Sequence, residues 1–107
     1  MSCFKHIDIH ESKKLIDEGN VVIVDIRDPQ AFAQGHIGGA IFLNDQNVEE
    51  FLKTTDKSKT LLCYCYHGNS SQSAAHYFSH QGFKETYSIK GGFEEWKGTY
   101  PSVSAKT

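Results

Sequence analysis

Val21, Val22, Ile23 and Val24 form an unbroken β-branched run. A strand with one face in water alternates apolar and polar residues, so a run without alternation is the pattern of a strand covered on both faces in a parallel sheet. Parallel strands need crossover connections, and those are usually helices. The flanking sequence supplies them. Upstream, after a short strand at Phe4 to Ile7, Asp8 and Glu11 have the spacing of a capping box, Leu15 and Ile16 follow, and Gly19 is the stop. Downstream, Asp28 and Pro29 fit the N-cap and first position of a short helix ending near Gly35. Ala40 to Leu43 reads as another buried strand, Val48 to Lys53 as a helix, and Leu61 to Cys65 as a third apolar run. Ser70 to Gln81 has helical spacing in Ala74, Ala75, Tyr77 and Phe78, with Gly82 as its stop. Thr86 to Ile89 is a last strand, Gly91 and Gly92 a turn, and Phe93 to Trp96 open a final helix. Strands alternating with short helices predict an α/β domain with a largely parallel sheet.

The 107 residues and 12.0 kDa leave room for one domain, expected over residues 1–107 with its core at residues 17–104. Only the tail from Ser102 to Thr107 reads as frayed. With 22% charged and 38% hydrophobic residues the chain has globular composition, which excludes disordered and collagen-like classes. Eleven Lys and Arg against thirteen Asp and Glu give a net charge of -2, so no global field favours nucleic acid or an acidic membrane as partner. No segment approaches the roughly 20 apolar residues that span a bilayer, and the start MSCFKHIDIH lacks the blocks of a signal peptide. A cytoplasmic location is therefore expected. The cysteines are Cys3, Cys63 and Cys65, an odd number that does not suit a disulfide framework. In a reducing compartment they are either inert small hydrophobes or include one reactive thiol.

Cys65 ends an apolar run and is followed by Tyr66, His67, Gly68, Asn69 and Ser70, then a helix. In open α/β sheets, ligands collect at the carboxyl ends of the strands. A thiol delivered there, beside the unpaired N–H groups of a helix N-terminus, is favoured as its anion. Gly68 lets the loop curl so that its amides point inward. From Thr60 to Phe83, 24 residues contain no Lys, Arg, Asp or Glu, where the chain's own composition predicts about five. One account is a buried strand followed by a helix with an uncharged polar face. The other is that backbone dipoles alone hold whatever anion forms on Cys65. The two are compatible.

Several chemistries compete for this thiol. A phosphate monoester hydrolase needs an Arg where this loop has Ser71, because the guanidinium binds phosphoryl oxygens bidentately. A dithiol redox site wants Cys-x-x-Cys, whereas Cys63 and Cys65 sit at alternate positions of a strand, too splayed for a relaxed disulfide. Cys63 and Cys65 with His76 and His80 form a Cys2His2 set, but the cysteines are closer in sequence than zinc fingers usually place them, so no metal site is expected. Sulfur transfer through a persulfide needs only one nucleophilic thiolate and a pocket of donors.

Three stretches in order, VDIRDPQAFAQGHIGGA (Val24 to Ala40), CYHGNSS (Cys65 to Ser71) and YSIKGGFEEW (Tyr87 to Trp96), resemble the rhodanese family. The resemblance implies a single rhodanese-like domain around a five-stranded, mainly parallel sheet flanked by helices. It implies that Cys65 takes the sulfane sulfur of thiosulfate, releases sulfite, and passes the sulfur to cyanide or to a thiol such as thioredoxin. The amides of Tyr66, His67, Gly68, Asn69, Ser70 and Ser71 would surround the persulfide, with no cofactor and no metal. The chain departs from the family at Ser70, where many such domains have a basic residue. Alternatives are a noncatalytic rhodanese-like module that binds a protein partner, and a persulfide carrier for a biosynthetic enzyme.

Other residues are weighed against plainer roles. Asp25 and Arg27, at the end of the Val21 run, could bind substrate; a structural ion pair or cap is the favoured reading. His36 is read as a turn histidine satisfied by backbone in preference to a proton shuttle. His67 is divided between a contact to substrate or thiolate and a solvent-facing side chain. Tyr66 is expected to wall the pocket, Phe93 and Trp96 to sit in the core, and Cys63 to be packing. His6, His10, His76 and His80 carry no claim beyond the surface.

Overall fold

The computed structural model describes residues 4–104, so Cys3 and the end of the tail, residues 105–107, lie outside it. Among the described residues five strands alternate with five helices: β1 Lys5–Ile7, α1 Ile9–Glu18, β2 Val21–Asp25, α2 Pro29–Gln34, β3 Ile41–Phe42, α3 Val48–Thr54, β4 Thr60–Tyr64, α4 Ser70–His80, β5 Glu85–Ile89 and α5 Gly92–Lys97. The predicted start signals hold. Asp8 accepts a hydrogen bond from the Glu11 amide at 2.8 Å, and Gly19 closes α1 in the left-handed conformation. Asp28 does the same for α2 through the Ala31 amide, with Pro29 in the first turn.

All five strands are parallel, in the order β1-β5-β4-β2-β3. The chain runs outward from β1 to β2 to β3 and then returns through β4 to β5. Right-handed crossovers put the helices of the two runs on opposite faces of the sheet. The core divides accordingly. Ile9, Leu15 and Ile16 of α1 pack with Ile23, Leu62, Tyr64, Ile89 and, from α5, Phe93 and Trp96 on one face. Phe51 of α3 and Ala75 and Phe78 of α4 pack with Val24, Leu61 and Cys63 on the other. Each fully buried Val, Leu, Ile or Phe among these contributes about 1.5–3 kcal/mol by leaving water. Both faces of β2 and β4 are thus covered, which is what the Val21 run requires.

Between the adjacent strands β4 and β2 the direction of the connections reverses: β2 feeds a helix on one face and β4 a helix on the other. That divergence opens a crevice at their carboxyl ends, the place where such sheets bind ligands. Cys65 stands there.

Three local expectations need correction. The run from Ala40 to Leu43 contributes a strand of two residues at the sheet edge, with Ile41 44% exposed. It pairs with β2 alone, and an asparagine turn ends it: Asn47 donates its side-chain amide to the Phe42 carbonyl at 2.8 Å. Tyr77, which shares the helical spacing of Phe78, faces outward from α4 and is 43% exposed. The start of the tail is anchored, because Val103 bridges His36 through paired backbone bonds of 2.8 and 2.9 Å.

Candidate active site

Cys65 is the first residue after β4, and its sulfur is nearly enclosed, the residue being 7% exposed. Two amides donate to Sγ, and a hydroxyl lies within hydrogen-bond reach of it. The Gly68 amide lies 3.1 Å away, the Ser71 amide 3.3 Å, and the Ser71 hydroxyl 3.5 Å. Burial pushes this thiol up; the Ser71 hydroxyl, the Ser71 and Gly68 amides and the His67 amide pull it down further, so it ends below the ordinary thiol value. Cys63, two residues earlier and fully buried, has no such donors among the described residues. Desolvation raises it well above the thiol range, and it serves as packing.

The amides point inward because the carbonyls are held outward. Phe93 donates its amide to the Cys65 carbonyl at 2.8 Å, Glu94 to the Tyr66 carbonyl at 2.9 Å, and the Gln72 side chain to the Gly68 carbonyl at 3.0 Å. In a trans peptide the C=O of one residue and the N–H of the next point in opposite directions. Binding the Tyr66 carbonyl from outside therefore turns the His67 N–H toward the sulfur. The first turn of α5, whose amides have no partner within their own helix, supplies two of these anchors. Two glycines make the approach feasible. Gly68 has φ +95°, and a Cβ there would stand 3.0 Å from the Gly91 nitrogen. Gly92 has φ +58°, and a Cβ would collide with the Cys65 and Tyr66 carbonyl oxygens. The sequence marked Gly91 and Gly92 only as a turn; a glycine pair opening a helix just after a buried strand was the available signal.

Other loop residues divide between the sulfur and the surface. Ser71 is fully buried, and its hydroxyl lies 2.8 Å from that of Ser88 on β5. Nothing local in the sequence singles out Ser88. His67 turns its ring outward, with Nδ1 2.6 Å from Glu94 Oε1 and both side chains exposed, so only its backbone faces the thiol. Tyr66 is partly exposed, accepts a hydrogen bond from Lys97 at 2.8 Å and lines a cavity of about 420 Å³ with Arg27, Phe93 and Lys97. Asn69 and Ser70 are exposed at the start of α4. Ser70 opens instead onto a cleft of about 510 Å³ with Ile26, Leu43, Ala74 and Tyr77. Among the described residues, no side chain with a full charge bonds the sulfur. Glu94 and Lys97 of α5 bond the loop on its outer side, at His67 and Tyr66.

Asp25 and Arg27 form the structural pair that the favoured reading expected. Arg27 grips both carboxylate oxygens of the buried Asp25 and donates to the Gly35 carbonyl at 2.6 Å. The Tyr64 hydroxyl donates to Asp25 at 2.6 Å and accepts from the Ile37 amide at 3.0 Å. The residue before Cys65 is thereby tied to β2. His36 stacks on Phe32 and places Nδ1 2.7 Å from the Phe32 carbonyl, a satisfied turn histidine. Phe93 and Trp96 are core. His76 and His80 lie together on the exposed side of α4, whereas Cys63 and Cys65 are buried, so the four do not form one ligand set.

Residues 8–99 match the family model described as a rhodanese-like domain. Over 106 residues, 99% of this chain and 96% of the relative, the sequence is 52% identical to a protein named thiosulfate sulfurtransferase GlpE from Pseudomonas entomophila. It is 50% identical, with the same coverage, to the protein of that name from Pseudomonas putida. Among solved structures, a rhodanese-like domain from Anabaena superposes with a TM-score of 0.81 at 25% identity, covering 92% of this chain and 78% of that one. A rhodanese-like domain protein from Staphylococcus aureus gives 0.74 at 26% identity, covering 87% and 91%. With a cysteine cradled at the carboxyl end of the central strand, a matching five-stranded sheet and relatives aligned almost end to end, this chain belongs to the rhodanese family.

Proposed function

We propose that this chain is a thiosulfate sulfurtransferase in which Cys65 is the nucleophile. One observation carries the reading: a single thiol placed where two amides donate to its sulfur and a hydroxyl lies within reach, with no charged side chain bonding the sulfur among the described residues. The names of the relatives support thiosulfate as donor. In the first half-reaction the Cys65 thiolate attacks the outer sulfur of thiosulfate, the S–S bond of thiosulfate breaks, and sulfite leaves with the electron pair. The persulfide's negative charge then sits on the added sulfur, beside the N–H groups of residues 66–71. In the second, cyanide or an acceptor thiolate attacks that outer sulfur and Cys65 leaves as thiolate, regenerating the enzyme. Both steps balance without metal or organic cofactor.

The finer parts of the reading are a rhodanese activity with cyanide, a thiol acceptor such as thioredoxin, one domain over residues 1–107, and a cytoplasmic location. Among the described residues no helix is long and apolar enough to cross a membrane. Mixing the pure protein with thiosulfate and weighing the intact chain tests the central step. A gain of one sulfur in the parent, absent in Cys65→Ser, is the expected result. No gain would defeat the enzyme reading in favour of a noncatalytic binding module.

A further inference from the structure

Behind the sulfur lies a short line of hydroxyls: Ser88 Oγ, 2.8 Å to Ser71 Oγ, and from there 3.5 Å to Cys65 Sγ. Ser71 and Ser88 are both fully buried, so water cannot substitute for either partner. The topology builds the line. Ser88 pairs in register with Cys63, putting both side chains on the face that α4 covers, and the first turn of α4 lowers Ser71 between β5 and the sulfur.

The protons of this line can be counted. Each hydroxyl brings one, and a thiolate brings none. For Ser71 to donate to a sulfur anion, its oxygen must take its own hydrogen bond from Ser88. In that arrangement Ser88 donates to Ser71, Ser71 donates to Sγ, and both buried protons have acceptors. With a neutral thiol donating to Ser71, the Ser71 proton must turn to Ser88, and the Ser88 proton then has no acceptor among the hydrogen bonds of the described residues. A buried donor without an acceptor is costly. Both hydroxyl protons are satisfied only when the line runs from Ser88 through Ser71 to the sulfur, and a thiolate is the strongest acceptor that can stand at its end.

We infer that Ser88 is a positioning residue of the sulfur cradle: it does not touch the nucleophile but orients the Ser71 hydroxyl so that its proton faces Cys65 Sγ. The inference concerns the site read above as the sulfurtransferase centre and rests on that reading for its purpose. Where the neutral thiol donates to Ser71, ionisation of Cys65 includes a reversal of both hydroxyls, the thiol proton going to solvent. The titratable groups nearby are Cys63, held protonated by burial, and the exposed His67–Glu94 pair on the outer side of the loop. Neither bonds Ser88.

The test reads the thiolate directly, without turnover. The rate of Cys65 alkylation by iodoacetamide is followed against pH in the parent, Ser88→Ala, Ser71→Ala and the double variant, with thermal unfolding as a check on folding. Ser88→Ala is expected to move the alkylation midpoint upward and to lower the rate at neutral pH roughly threefold, the worth of one ordinary hydrogen bond. In the Ser71→Ala background the same substitution is expected to do nothing further. Ser88→Thr keeps a hydroxyl at this position and is expected to stay near the parent midpoint, which guards against a general effect of replacing a core residue. An unchanged midpoint in a folded Ser88→Ala protein, or an equal shift in both backgrounds, would overturn the inference. A midpoint shift in a chain that gains no sulfur from thiosulfate would keep Ser88 in its role and remove the proposed enzyme.

Discussion

At Cys65 two opposing effects meet in one side chain. Burial alone would keep the thiol protonated, as it does at Cys63 on the same strand, yet the donors of the loop reverse the outcome. The sign of the pH dependence follows. Because the folded-state value lies below the ordinary one, the thiolate's contribution to stability is complete above the unfolded thiol's value and is lost as pH falls through the folded value. The stability difference between the parent and Cys65→Ser should therefore grow from neutral toward alkaline pH, as read by urea unfolding at a series of pH values. A flat difference would mean that the donors do not favour the anion. Gly92 is the second residue on which the cradle turns. Gly92→Ala places a Cβ against the Cys65 and Tyr66 carbonyls in a conformation that alanine resists. A loss of about 2 kcal/mol or more in stability is expected, with sulfur uptake falling in parallel because the carbonyls can no longer be held away.

Helix α4 acts through its first turn. Its Ser71 amide faces the sulfur while Ser70, the first helical residue, faces the cleft outside. At the sulfur itself a dianionic donor thus meets peptide dipoles, and among the described residues no cation bonds Sγ. Ser70→Arg should tighten the apparent affinity for thiosulfate by on the order of 1 kcal/mol, about fivefold, measured from initial rates. An unchanged value would show that charge does not limit the cradle. The substitution also sets a cation at the positive end of the helix dipole, so a slight loss of stability should accompany the gain. Helix α5 contributes differently: it is short, and its opening amides are spent on the carbonyls of the neighbouring loop.

Across the molecule, β2 and β4 are bound together beneath the crevice by more than their ladder. Asp25, Arg27 and Tyr64 join the end of β2 to the residue before the nucleophile, in a place with almost no solvent. Removing one charge leaves the other buried and unpaired, which costs roughly 3–5 kcal/mol. Asp25→Asn should lower the unfolding free energy by that amount, read as a lower midpoint in urea. If the variant folds, the Cys65 alkylation midpoint should move far less than in Ser71→Ala, since the pair supports the strand ends and does not contact the sulfur. A large shift with intact stability would instead place the pair in the chemistry.

Much of this architecture was readable from local rules. The Val21 run demanded a strand covered on both sides, Asp8, Asp28 and Gly19 punctuated helices through bonds that span only a few residues, and the loop after Cys65 announced a thiol at a strand end. These signals are local because caps, turns and hydrophobic period depend on neighbours along the chain. What lay beyond them needed residues distant in sequence to meet. The edge position of β3 follows from strand order, the anchoring of Val103 from a partner 67 positions away at His36, and the outward turn of His67 from Glu94 on another helix. The partnership of Ser71 with Ser88, and of Gly92 with the Cys65 carbonyl, belongs to the same class. A chain of types can nominate the nucleophile, but which way a hydroxyl points, and whether an amide faces it, is decided only when separate elements close around one buried atom.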